Sequence, residues 1–159
     1  MSASAFRLIS FLAALSGFAV WEWLSPRRKL SQSKTNRWII NMTIHLMNTA
    51  MIYFLMGAVV YSTATLAKNE EWGLMNLIHL PYSLHILFTI LILDFVIYYQ
   101  HRLFHKVPLF WRFHRVHHTD LDFDVSTAIR FHPIEIIISL MIKMIAVMLI
   151  GGDPWGTVI

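Results

Sequence analysis

Five of the nine histidines in this chain fall between residues 101 and 118, in two groups: His101-Arg-Leu-Phe-His105 and His114-Arg-Val-His117-His118. On a helix, residues three or four apart share a face. His101 and His105 therefore stack one turn apart, and His114 lies on one face with His117 and His118. Val107-Pro108 between the groups predicts a helix end, because proline disfavours helical backbone in the residue before it, and it lets the second helix fold back on the first. Imidazoles presented this way can hold a transition metal such as Fe, Zn, Cu or Ni, and suit Mg or Ca poorly. Asp94, Tyr98, His101 and His105 follow a spacing of 0, 4, 7 and 11, one helical stripe. That stripe predicts Asp94 beneath the ligands, orienting a histidine or offsetting metal charge, and Tyr98 lining the same cavity.

Simpler readings compete with this one. A single pair of histidines four apart is common on solvated helices, but five in this pattern would be an odd surface for a chain with so few other charges. His45, His79 and His85 stand alone within or beside apolar segments and read as hydrogen-bonded packing residues. The first group lacks the Glu after its first His that a zinc-protease helix needs. Asp120, Asp122 and Asp124 resemble the start of a calcium loop, yet Val125 and Phe131 stand where Gly and Glu belong. Asn41-Met-Thr43 matches a glycosylation sequon but lies inside an expected membrane span.

The elements that must position these histidines are membrane helices. Of 159 residues, 57% are apolar and 14% charged, against about 25% charged in soluble domains. Mean hydropathy is +0.56, and the apolar residues run in blocks at about 5–24, 38–67, 74–100 and 134–150. About 20 residues cross the hydrocarbon, so an all-α, multi-pass bundle is expected, one membrane domain over 1–159, with short cytoplasmic helices carrying the histidine region at 101–135. Pro81 should break or kink the third block. Lys143 weakens the fourth, which could instead be a re-entrant or protein-covered helix. The first block is followed at once by Pro26-Arg27-Arg28-Lys29, which favours a retained anchor over a cleaved signal.

The net charge of +4 does not point to nucleic acid, because the basic residues cluster between the apolar blocks. The loop after the first block is basic, the one after the second holds Glu70 and Glu71, and the stretch after the third is basic again. That alternation places the histidines on the cytoplasmic side, of a bacterial inner membrane or the endoplasmic reticulum. The chain has no Cys, which excludes disulfides, thiolate zinc sites and Cys-ligated clusters within it.

Three runs together resemble the fatty acid hydroxylase/sterol desaturase superfamily of membrane histidine-box oxygenases. They are Asp94-Phe-Val-Ile-Tyr98-Tyr99-Gln-His101-Arg102-Leu-Phe-His105, Leu109-Phe-Trp111-Arg-Phe-His114-Arg-Val-His117-His118-Thr119, and Thr127-Ala-Ile-Arg130-Phe-His132-Pro133-Ile-Glu135. The resemblance implies a di-iron centre (with zinc as an alternative occupant in isolated protein) that uses O2 and two electrons to hydroxylate or desaturate a lipid C–H bond. It implies metal ligation by His101, His105, His114, His117 and His118, with His132 a further candidate. Arg130 and Glu135 would support them. It also implies a lipid substrate and an electron donor such as cytochrome b5 or a ferredoxin-type reductase. The family pattern has a third box, H-x-x-H-H, beyond the fourth block. The chain reaches Ile159 without it, and is therefore expected to be incomplete at its C-terminus or an inactive truncated relative. Two other classes compete: a metal-binding or metal-transport membrane protein with a His-rich cytoplasmic segment, and a haem protein ligated by His45 and His85.

Overall fold

The computed structural model of the chain describes residues 3–56, 59–78 and 80–157, all without strands. In order come α1 (Ala3–Leu24), α2 (Lys34–Met56), α3 (Val59–Asn69), α4 (Leu74–Leu77), α5 (Tyr82–Lys106), α6 (Pro108–His118), a 3-10 turn (Val125–Ile129) and α7 (Pro133–Ile150). Helices α1, α2, α5 and α7 are long and apolar enough to cross a membrane. The fourth block, despite Lys143, is the most hydrophobic of these spans.

Prolines mark where helices start. Pro81 precedes α5, Pro108 opens α6 and Pro133 opens α7, positions where a missing N–H costs no intrahelical bond. Pro81 splits the third apolar block into α4 and α5. The second block is likewise divided between α2 and α3, with residues 57 and 58 outside the described ones. A single helix of that length would overrun a hydrocarbon core of about 30 Å. Nothing breaks the helix between residues 100 and 106, so the first histidine pair rides on the last turns of α5 and not on a short separate helix. At the other end of α7, Gly151 adopts the left-handed conformation (φ 71°) that ends a helix at little cost to glycine.

The core lies where α3 and α5 meet α7. Ala64, Leu93, Ala146 and Val147 are buried there, with Val60, Val96 and Ile150 packed against them. Ala64 and Ala67 are fully buried, and small residues of this kind let helices approach closely when lipid offers no hydrophobic drive for association. Gln100 Nε2 donates to Ser139 Oγ at 2.6 Å, fixing α5 to α7 near the histidine end. Bulky side chains such as Leu8, Phe18, Ile39 and Phe54 point outward, as lipid-facing positions should.

A polar clamp closes the histidine end of the bundle. Arg37 of α2 donates to Asp120 through Nε at 2.6 Å and Nη2 at 3.0 Å, and its Nη1 lies 3.1 Å from Asp124. Asn41 Nδ2 and Thr127 Oγ1 also donate to Asp120. Asp122 accepts from the backbone N–H groups of Ser31 and Gln32. The three aspartates that imitate a calcium loop are thus anchors joining the segment after α6 to the segment between α1 and α2. Both basic loops therefore lie on one side of the bundle. Asn41, the sequon residue, is fully buried in this network.

Removing one partner of a buried ion pair strands the other charge, which costs about 3–5 kcal/mol. Arg37→Met is accordingly expected to lower unfolding free energy in detergent by roughly that amount. A loss below about 1 kcal/mol, the worth of an exposed pair, would show that the clamp carries no stability.

Candidate metal centre

Four imidazoles converge where α5 and α6 fold back on each other across Val107-Pro108. His105 Nε2 lies 3.2 Å from His101 Nε2, His114 Nε2 lies 3.3 Å from His105 Nε2, and His118 Nε2 lies 3.2 Å from His114 Nε2. Ligand atoms of His101, His105 and His114 all fall within 4.8 Å of one another. Nitrogens bound at about 2.0–2.1 Å around one ion stand about 2.9–3.4 Å apart, depending on geometry. The observed spacing is that of a ligand shell. A cation among the lone pairs of His101, His105 and His114 would satisfy all three nitrogens at once.

His114 is the centre of the group and has no exposed surface. Its Nδ1 lies 2.7 Å from Glu135 Oε1; with that carboxylate ionised, the proton sits on Nδ1 and the Nε2 lone pair is left for the cluster. Burial, reinforced by the neighbouring imidazoles, pushes the His114 pKa down to about 3. Burial likewise lowers His117 and His118. Neutral imidazole is the form that ligates metal. Two buried atoms at the site lack hydrogen-bond partners: His117 Nδ1 and Glu135 Oε2. The donor set therefore fits a transition-metal ion.

The remaining candidates take different places. His117 is turned from the nitrogen chain and stacks face to face on Phe131, with ring centroids 5.0 Å apart and planes 3° from parallel. His132 caps α7, its Nδ1 accepting from Ile134 N at 3.1 Å. Arg130 holds the end of α6, donating from Nε to Val116 O at 2.9 Å and from Nη2 to Thr119 Oγ1 at 2.8 Å. Its Nη1 donates to Asn41, which joins the site to the clamp. Asp94 makes no hydrogen bond to a histidine among the described residues. It lines a separate cavity of about 350 Å³ with Arg7 of α1 and Lys143 of α7. Tyr98 is exposed, its ring edge-on to Tyr99.

Two aromatic neighbours escaped sequence reasoning. Trp111 sits 5.5 Å from the His105 ring and 5.4 Å from that of His118. Phe104 is buried and stacks on His114 at 5.9 Å. Trp111, His114 and His118 lie three and four apart on α6, so the helical stripe would have found the tryptophan. The isolated histidines are accounted for elsewhere: His45 stacks on Phe11, and His85 Nε2–H donates to Gly151 O at 2.7 Å. Neither is set up as a haem ligand. His79 lies outside the described residues.

Residues 86–159 match the family model described as fatty acid hydroxylase. No solved structure matches the chain.

A histidine with a depressed folded pKa binds fewer protons than in the unfolded chain, so stability rises with pH between the two values. For His114 that window runs from about 3 to 6.5. Across that window, metal-free wild-type protein held with a chelator is expected to lose more thermal stability on acidification than His114→Gln does. Equal losses in both proteins would contradict a neutral, buried His114. Asp120 adds a second loss at lower pH: desolvation raises its pKa, but hydrogen bonds from Arg37, Asn41 and Thr127 outweigh that and hold it below the usual range.

Proposed function

We propose, on the premise that residues 86–159 are a fatty acid hydroxylase segment, that this chain is the membrane part of an O2-dependent lipid oxygenase whose reacting centre is His-ligated iron. The observation that carries the reading is the convergence of His101, His105, His114 and His118 through their Nε2 atoms. When bound, the metal would supply O2 activation, with the balance C–H + O2 + 2 electrons + 2 protons giving C–OH and water. The protein supplies everything else: ligands, orientation and a controlled approach.

The residues divide that work. His101, His105 and His114 would hold one ion, and His118, next to His114, would with His117 serve a second, as a di-iron centre requires. Glu135 keeps His114 in the tautomer that ligates and raises its basicity. Trp111 and Phe104 flank the ring cluster. The position of the cluster at the end of α5, where span meets loop, suits a lipid C–H presented at the membrane boundary. Metal transport would need ligating groups along the spans, and the cavity between spans that Asp94 lines also carries Arg7 and Lys143, whose charges oppose a metal cation. By the excess of basic residues in both loops on this side, the centre faces the cytoplasm, within reach of a cytochrome b5 or ferredoxin-type donor. Fatty acyl, sphingolipid and sterol chains all satisfy this chemistry, as does either hydroxylation or desaturation.

Iron-loaded protein in lipid nanodiscs, given a chemical reductant and 18O2, is expected to yield lipid carrying one 18O per hydroxylation, or lipid lighter by two hydrogens. His114→Ala should lower iron content severalfold and abolish the product. Wild-type protein with full iron that changes no lipid in the presence of O2 would overturn the reading.

A further inference from the structure

A groove of about 770 Å³ opens beside the metal centre, at the junction of α1 with the segment leading to α2. Its walls carry Arg27, Arg28 and Lys34 together with the apolar faces of Trp23, Leu30 and Phe123. Two carboxylates also border it, Glu22 and Asp124, leaving an excess of one positive charge; each has partners within the protein, although Glu22 Oε2 has none. Glu22 Oε1 accepts from Val125 N at 2.9 Å, and Asp124 is held by Arg37, Trp38 and Ser126. The cations are less engaged. Arg27 makes no ion pair among the described residues, Lys34 lies over the Trp38 ring at 5.8 Å, and Arg28, more than half exposed, donates from Nη2 to Leu121 O at 2.8 Å with Asp122 3.5 Å away. The groove therefore presents net positive charge above an apolar floor.

Phe123 connects this groove to the histidines. Its ring is 55% exposed, yet its centroid lies 6.0 Å from that of His117 and 6.1 Å from that of His118. One side chain thus borders both the groove and the histidine rings. A ligand held by the basic residues would have its next atoms against Trp23, Leu30 and Phe123, heading toward the metal ligands.

We propose that this groove binds the phosphate head group of a single-chain amphiphile, with Arg27, Arg28 and Lys34 on the phosphate and the chain directed past Phe123 to the centre. Arginine and lysine match phosphate by charge-assisted hydrogen bonds, and a groove of this volume takes a head group and the first methylenes while leaving the rest of the chain to run on. The inference deepens the oxygenase reading, on which it rests for the chain's destination. It narrows the substrate class to phosphate-bearing lipids.

The test uses the full chain, iron-loaded in non-ionic detergent, and a lysophosphatidic acid carrying a mid-chain diazirine. Photolabelling is expected within the segment from His117 to Phe131. The R27Q/K34Q double variant should lose about tenfold in labelling, roughly the effect of 1.4 kcal/mol in affinity. K106Q/R112Q removes the same charge elsewhere and should label like wild type. The matching monoacylglycerol should label weakly, and millimolar inorganic phosphate should not displace the lipid probe. Equal labelling in R27Q/K34Q and wild type would overturn the inference and assign the basic cluster to general membrane attraction. So would equal labelling by the monoacylglycerol, while displacement by inorganic phosphate would assign the site to free phosphate. Iron content measured on the same samples keeps the two readings apart: R27Q/K34Q should retain iron, so its labelling bears on the groove alone.

Discussion

Everything at the working end of this protein hangs on one buried hydrogen bond, from His114 Nδ1–H to Glu135 Oε1 at 2.7 Å. It joins α6 to the first turn of α7, and it decides which nitrogen of His114 faces the other imidazoles. With the proton on Nδ1, the Nε2 atoms of His101 and His105 can share one cation with His114. With the proton on Nε2, the same crowding would set an N–H against ring nitrogens. A buried polar pair of this kind is costly unless satisfied, so its presence at the meeting point of two helices constrains the geometry around it.

The clamp built on Asp120 solves a related problem. A loop running just beneath a bilayer carries backbone and side-chain groups that must find partners. Here Arg37, Asn41 and Thr127 converge on Asp120, Ser31 and Gln32 on Asp122, and Trp38 on Asp124. Arg130 links this network to the Val116 carbonyl of α6. The helix that presents His114 and His118 is therefore fixed at both ends, by Pro108 at its start and by Arg130 at its close. Both flanks of the histidine cluster are held by side chains from distant parts of the sequence.

Local signals foretold much of this. Apolar blocks marked the four spans, Pro81 and Val107-Pro108 marked helix boundaries, and three-and-four spacing placed His114 on one face with His118. These features depend on backbone sterics and helix periodicity alone. What escaped needed tertiary contacts. The aspartates at 120, 122 and 124 look alike in sequence, and only the folded partners make them anchors. His117 has the same spacing credentials as its neighbours but stacks on Phe131, a ring supplied by a later loop. His132 precedes a proline that opens a helix, and capping claims its Nδ1. Asp94 keeps the helical stripe but stands two turns from His101, where it meets Arg7 and Lys143 around a different cavity.

The coordination shell itself can be read by X-ray absorption at the iron edge of iron-loaded protein. Nitrogen scatterers at about 2.1 Å, accompanied by the outer-shell pattern of several imidazole rings and weakened in His105→Ala, are the predicted result. A shell of oxygen atoms without imidazole scattering, unchanged by that substitution, would show that the clustered histidines do not hold the metal.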